Sequence, residues 1–121
     1  MSEERFPTAW SGRIAVIGAA GEIDLINAGN LSDAMLSALN TGARALIVDM
    51  TAAVFLDSAG VNALVHASKR AAATGASLRL AVTALAPLRV LDLVGVDRLI
   101  EVHPTVAEAI ASLPDRTEPL P

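Results

Sequence analysis

Apolar runs alternate with amphipathic stretches along the chain. Arg13-Ile14-Ala15-Val16-Ile17-Gly18-Ala19 reads as a strand, and Ser11-Gly12 makes a turn before it. Thr8-Ala9-Trp10 then forms a short hairpin partner. Gly21-Glu22-Ile23-Asp24 leads from this strand towards a helix predicted over Ala28 to Leu39. Leu31, Ala34, Met35, Ala38 and Leu39 fall on one face of that helix, with Asn30, Asp33, Ser37 and Asn40 opposite. Asn27 is its expected N-cap, and Thr41-Gly42 ends it. The continuous apolar run Ala45 to Met50 suits a strand covered on both faces. A loop is expected over Thr51 to Asp57, then a helix over Ala59 to Thr74 that Gly75 stops. Its predicted buried face is Val61, Leu64, Val65, Ser68, Ala71 and Ala72. Its opposite face carries Asn62, His66, Lys69, Arg70 and Ala73.

Ser77 to Val82 is the next strand, Ala86 to Leu93 the third helix, and Leu99 to Val102 a last short strand. Thr105-Val106-Ala107-Glu108 is a capping box for a fourth helix reaching Ser112. Strands alternating with helices predict an α/β fold with a mostly parallel mixed sheet and right-handed crossovers. The sheet should have about five strands and the fold about four helices. A single domain is expected, with its core over 8–112 and loose tails over 1–7 and 113–121.

Composition removes many functions. The 121 residues carry 9 Lys+Arg against 13 Asp+Glu, a net charge of −4. That balance disfavours a nucleic-acid binder or a polybasic membrane anchor. With no Cys, disulfide scaffolds, thiol catalysis and Cys-based zinc sites are excluded. His66 and His103 stand in no metal-ligand spacing, so no metal and no cofactor is expected. No apolar run is long enough to span a bilayer, and the acidic start has no apolar segment of a signal peptide. A cytoplasmic protein is expected.

One segment stands out for chemistry. Val54-Phe55-Leu56-Asp57-Ser58-Ala59-Gly60-Val61 lies just past a buried strand and opens a helix. Loops beyond the carboxyl ends of parallel strands form the functional edge of open α/β sheets. Ser58 falls at the expected N-cap, where its hydroxyl would contribute about 1 kcal/mol to the helix. By spacing alone, the segment is a loop with a good cap. An esterase elbow would need Gly-x-Ser-x-Gly, and the first Gly is missing. Phosphate-binding GxxxxGK[ST] is absent, and Gly18-Ala19-Ala20-Gly21 does not fit GxGxxG. No enzyme is expected.

Three segments in order give a resemblance. Asp57-Ser58-Ala59-Gly60 is similar to the Asp-Ser-Ser/Thr-Gly of STAS domains, which include the bacterial anti-sigma factor antagonists. Gly21-Glu22-Ile23-Asp24 resembles that family's Gly-Glu-Leu/Ile-Asp. Leu91-Asp92-Leu93-Val94-Gly95-Val96 resembles its Leu-x-Leu-x-Gly-Leu. The likeness runs from about Arg13 to Ser112. There are departures: Ala59 replaces the usual second hydroxyl residue, Val61-Asn62 stands where Leu-Gly is common, and Pro87 lies closer to Gly95 than the family's Ser-Pro pair.

The resemblance implies a phospho-switch that regulates transcription by partner switching. Ser58 would be phosphorylated by an anti-sigma factor of the GHKL kinase type. The unphosphorylated chain would bind that partner and release its sigma factor. Asp24, Asp57, Ser58, Ala59, Gly60 and Asn62 are the expected partner-binding residues. A monomer or weak homodimer is expected. The alternative is a STAS accessory subunit of an ABC-type lipid-transport complex.

Physically, a phosphate adds about −1.5 to −2 charge, which a helix N-terminus can accept. The same charge beside Asp57 would spoil a docking surface without unfolding the domain. Asp24 is either a cap for the first helix or a partner contact. Leu25 and Ile26 are either interface anchors or packed against the sheet, the second being the expectation for large aliphatics. His66, Lys69 and Arg70 read as a solvated face, and Asp49 as structural.

Overall fold

In the computed structural model of the chain, which describes residues 5–114, the period-two alternation of the central strand sets the architecture. This strand, β4 (Ala45–Met50), points Leu46, Val48 and Met50 to one face and Ala45 and Ile47 to the other, and all five are fully buried. The strands before it are β1 (Thr8–Ser11), β2 (Ile14–Gly18) and β3 (Gly21–Ile23). Those after it are β5 (Ala53–Leu56), β6 (Ser77–Val82) and β7 (Glu101–His103). The helices are α1 (Ala28–Asn40), α2 (Ser58–Ala73), α3 (Leu85–Leu93) and α4 (Val106–Ala111), with a 3-10 turn over Val96–Arg98.

Five strands form the main sheet in the order β1-β2-β4-β6-β7, antiparallel at β1/β2 and parallel elsewhere. The larger core cluster fills one face, with Leu31 and Met35 of α1, Leu64 of α2 and Leu91 of α3 in it. On the opposite face Ala109 of α4, flanked by Val106 and Ile110, packs on Ile14 and Ile47. The expected α/β fold is therefore present, with both faces of β4 covered.

Three local expectations differ. The predicted loop 51–57 contains β5, which pairs in parallel with β3 as a separate two-stranded sheet. Neither strand shows a long alternating pattern, because each is short and β5 exposes both Val54 and Phe55. The expected loose tail 1–7 is structured where it is described. Phe6 enters the core at 5% exposure, and the Pro7 carbonyl accepts from Gly18 N–H at 2.9 Å. The last strand begins at Glu101 rather than Leu99, because the chain first makes the 3-10 turn. Of the predicted capping box of α4 the Thr105 half forms, with Thr105 Oγ1 accepting from Glu108 N–H at 3.0 Å, while Glu108 Oε2 accepts from the Thr105 hydroxyl at 3.2 Å instead of from its backbone N–H. Most of the predicted C-terminal tail lies outside the described residues.

The small sheet builds the site. Gly21 turns the chain out of β2 with φ +75, a conformation that side-chain-bearing residues resist. Gly21 N–H then reaches the Ala52 carbonyl, and β3 runs beside β5 with Glu22 opposite Phe55 and Ile23 opposite Leu56. The ladder ends where Asp57 N–H donates to the Ile23 carbonyl at 3.1 Å. This last bond sets the start of α2 beside the loop that leads into α1.

Candidate functional site

Asp57, not Ser58, caps α2. Its backbone is extended (φ −105, ψ −176), as an N-cap requires, and Oδ1 accepts from Ala59 N–H at 2.9 Å and Gly60 N–H at 3.1 Å. Ser58 is already the first helical residue. Its side chain is exposed and takes part in no hydrogen bond among the described residues. This corrects the sequence expectation. It also changes the electrostatic argument, since the Ala59 and Gly60 N–H groups are engaged by a carboxylate and are not open to an incoming phosphate.

The second oxygen of the same carboxylate joins two loops. Asp57 Oδ2 accepts from Leu25 N–H at 3.1 Å, so the strand-to-helix junctions before α1 and α2 meet on one surface. Asp24 and Ser58, far apart in sequence, are brought together in this way. Asp24 braces its own loop: Oδ1 accepts from Ile26 N–H at 3.0 Å and Asn27 N–H at 3.4 Å. Its carbonyl accepts from Ala28 N–H at 2.8 Å at the head of α1.

Asn27 occupies the N-cap position of α1 but makes no capping bond with its side chain. Instead its Oδ1 accepts from Asp24 N–H at 3.0 Å, and its Nδ2 donates to the Glu22 carbonyl at 2.8 Å. The Asp-x-x-Asn spacing was the available signal for this bracing, because both residue types bond to nearby backbone groups.

The remaining expected residues differ in exposure. Asn62 is exposed at the start of the second turn of α2 and Ala59 is half-buried. Gly60 is buried, and a Cβ there would come within 2.5 Å of Leu56 Cδ1 and 2.9 Å of Ile23 Cγ2. It lets α2 approach the small sheet. Leu25 and Ile26, expected to pack against the sheet, are 79% and 90% exposed. His66, Lys69 and Arg70 lie exposed along α2. Asp49 is structural, its Oδ1 accepting from Thr51 Oγ1 at 2.6 Å.

The site is a surface. Cavities of about 250 and 160 Å³ lie elsewhere, one between β1 and α1 and the other beside Gly18 and Thr51, and neither is lined by Asp24, Asp57 or Ser58. Among the described residues no His, Asp or Glu group could hold a metal ion, and no helix is long and apolar enough to cross a membrane.

The site thus presents one unengaged hydroxyl, on Ser58, beside a carboxylate that fastens two loops. The anti-sigma-F factor antagonist RsfB of Mycobacterium tuberculosis is 30% identical over 102 residues, covering 83% of this chain and 81% of RsfB. The crystal structure of an anti-sigma factor antagonist from Mycobacterium paratuberculosis superposes with a TM-score of 0.83 at 24% identity, covering 91% of this chain and 93% of that one. Unphosphorylated SpoIIAA, also an anti-sigma factor antagonist, superposes with a TM-score of 0.76 at 21% identity, over 91% and 99% of the two chains. These two structures share the fold. Residues 6–109 match the STAS domain, and the chain belongs to that family.

Proposed function

We propose that this chain is an anti-sigma factor antagonist that works by partner switching, with Ser58 as its phosphoacceptor. In the unphosphorylated form it binds an anti-sigma factor and frees the sigma factor. The partner is a serine kinase of the GHKL type, and the chain is its substrate rather than an enzyme. The observation that carries this reading is the exposed, unbonded Ser58 hydroxyl on the first turn of α2, next to Asp57. The likeness to RsfB supports the partner class.

The reaction is a phosphoryl transfer. Ser58 Oγ attacks the γ-phosphorus of ATP, the bond to the bridging oxygen of ADP breaks, and the hydroxyl proton passes to a base of the kinase. The product carries about −1.5 to −2 charge one residue from the Asp57 carboxylate. Asp57 occupies the nearest helix N–H groups, so the new charge faces outward, into the partner. Association ends because the interface has become repulsive, and the fold stays intact.

The test is incubation with candidate anti-sigma kinases from the same genome plus ATP, read by intact mass. Addition of one phosphate to the parent and none to Ser58→Ala is expected. A phosphate that persists in Ser58→Ala removes Ser58 from the role. No phosphate on the parent with any kinase removes the phospho-switch.

A further inference from the structure

Single exposed aliphatic side chains are ordinary on protein surfaces. Leu25 and Ile26 are two in succession, 79% and 90% exposed, on a loop whose backbone is tied at almost every residue. Leu25 N–H is held by Asp57 Oδ2 and Ile26 N–H by Asp24 Oδ1, while Asp24 N–H is held by Asn27 Oδ1. Their presentation to solvent is therefore built in. A loop ordered before binding loses little backbone entropy on association, so less of the gain from burying both side chains is offset.

The surroundings specify the receiving surface. Residues 22–27 and 57–62 contain Glu22, Asp24 and Asp57 and no Lys or Arg. The nearby Arg5 guanidinium donates to the Glu22 carbonyl. Two copies of this chain meeting through this patch would place like charges face to face, which disfavours self-association here. A partner that covers Leu25 and Ile26 must offer an apolar recess with cationic edges. Asp57 makes this patch continuous with Ser58, since one carboxylate holds Leu25 N–H and the Ala59 and Gly60 N–H groups.

We infer that Leu25 and Ile26 are the apolar anchor of the anti-sigma factor interface, seated in a recess of that partner bordered by Lys or Arg. This rests on the partner reading above and adds to it the anchor and the chemistry that receives it. Phosphate on Ser58 then acts at the margin of an apolar contact.

Calorimetric titration against purified ATP-binding anti-sigma factors from the same genome tests it. The parent is compared with the double variants Leu25→Ser/Ile26→Ser and Leu25→Met/Ile26→Val, at about 50 and 300 mM salt. The factor that binds the parent is expected to bind the serine variant at least about tenfold more weakly and the conservative variant within about threefold. Binding should weaken at the higher salt. Both positions are solvent-exposed, so thermal melts should coincide. If the serine variant melts early, Leu25→Gln/Ile26→Gln takes its place. Serine-variant affinity within twofold of the parent, or an equal loss in the conservative variant, overturns the anchor while the partner reading stands. Affinity that does not fall with salt overturns the cationic border. If no factor binds the parent, the partner reading falls, and the anchor with it.

Discussion

The Asp57 carboxylate stands 3.1 Å from the Leu25 backbone nitrogen, 32 residues earlier in the chain, and its other oxygen stands 2.9 Å from Ala59 N. One side chain thus caps α2 and fastens the neighbouring loop. Replacing it by Ala removes the partners of three N–H groups. Asp57→Ala should lower stability by about 1–3 kcal/mol. Denaturant melts measure this directly. A change under about 0.5 kcal/mol would mean the bridge contributes nothing beyond an ordinary surface contact.

Ser58→Ala should behave in the opposite way. The hydroxyl neither caps the helix nor bonds elsewhere, so stability should change by less than about 0.5 kcal/mol. Phosphate incorporation should vanish. The same melts, paired with intact mass, separate the structural from the functional role of the two adjacent residues.

Ser58→Asp should weaken binding to the kinase partner with the fold unchanged. Its carboxylate would sit beside Asp57, whose oxygens already hold the local N–H donors, so the added charge is left facing the partner. Equal affinity for Ser58→Asp and the parent in a titration would contradict repulsion as the mechanism.

Asp24 braces its loop through Oδ1 and also carries a charge near the anchor. Asp24→Asn keeps the acceptor oxygen and removes the charge, while Asp24→Ala removes both. The Ala variant should lose about 0.5–2 kcal/mol of stability. If the partner reads the charge, the two variants should lose affinity alike. If only the bracing matters, Asp24→Asn should bind as the parent does.

Acid stability should depend on Glu101. The hydrogen bond with His103 holds its carboxyl below the ordinary 4.5, against a smaller opposing effect of burial and with the Arg79 charge, 3.3 Å away, adding to it. A carboxyl whose pKa is depressed by folding stabilises the fold above its unfolded value. That contribution is lost as pH falls through the folded value. The parent should therefore be slightly more stable than Glu101→Gln at neutral pH, and the difference should close below about pH 4.5. The effect is small because the side chain is more than half exposed to screening solvent. Melts across the acid range check it.

What the chain determined by itself was everything carried by a long periodic signal. The apolar run of β4, the amphipathic face of α1 and the Thr105/Glu108 cap depend on residues within a few positions of one another, so local spacing suffices. On α2 the same spacing placed Val61, Leu64 and Ala71 correctly, but Ala72, expected in the core, is exposed, and Ala63 and Ala67 are buried instead. The Asp57-Ser58 segment was legible as a loop opening a helix for the same reason. Tertiary structure decided the rest. Asp and Ser are near-equal caps, and only the ladder bond from Asp57 N–H to the Ile23 carbonyl sets which of the two stays extended. Strand β5 exists because β3 pairs with it, a contact across some thirty residues that four residues without alternation cannot announce. The exposure of Leu25 and Ile26 follows from that same junction. Asp57 and Asp24 hold their backbone where neither the sheet nor a helix is left to cover them, against the general tendency of aliphatic residues to be buried.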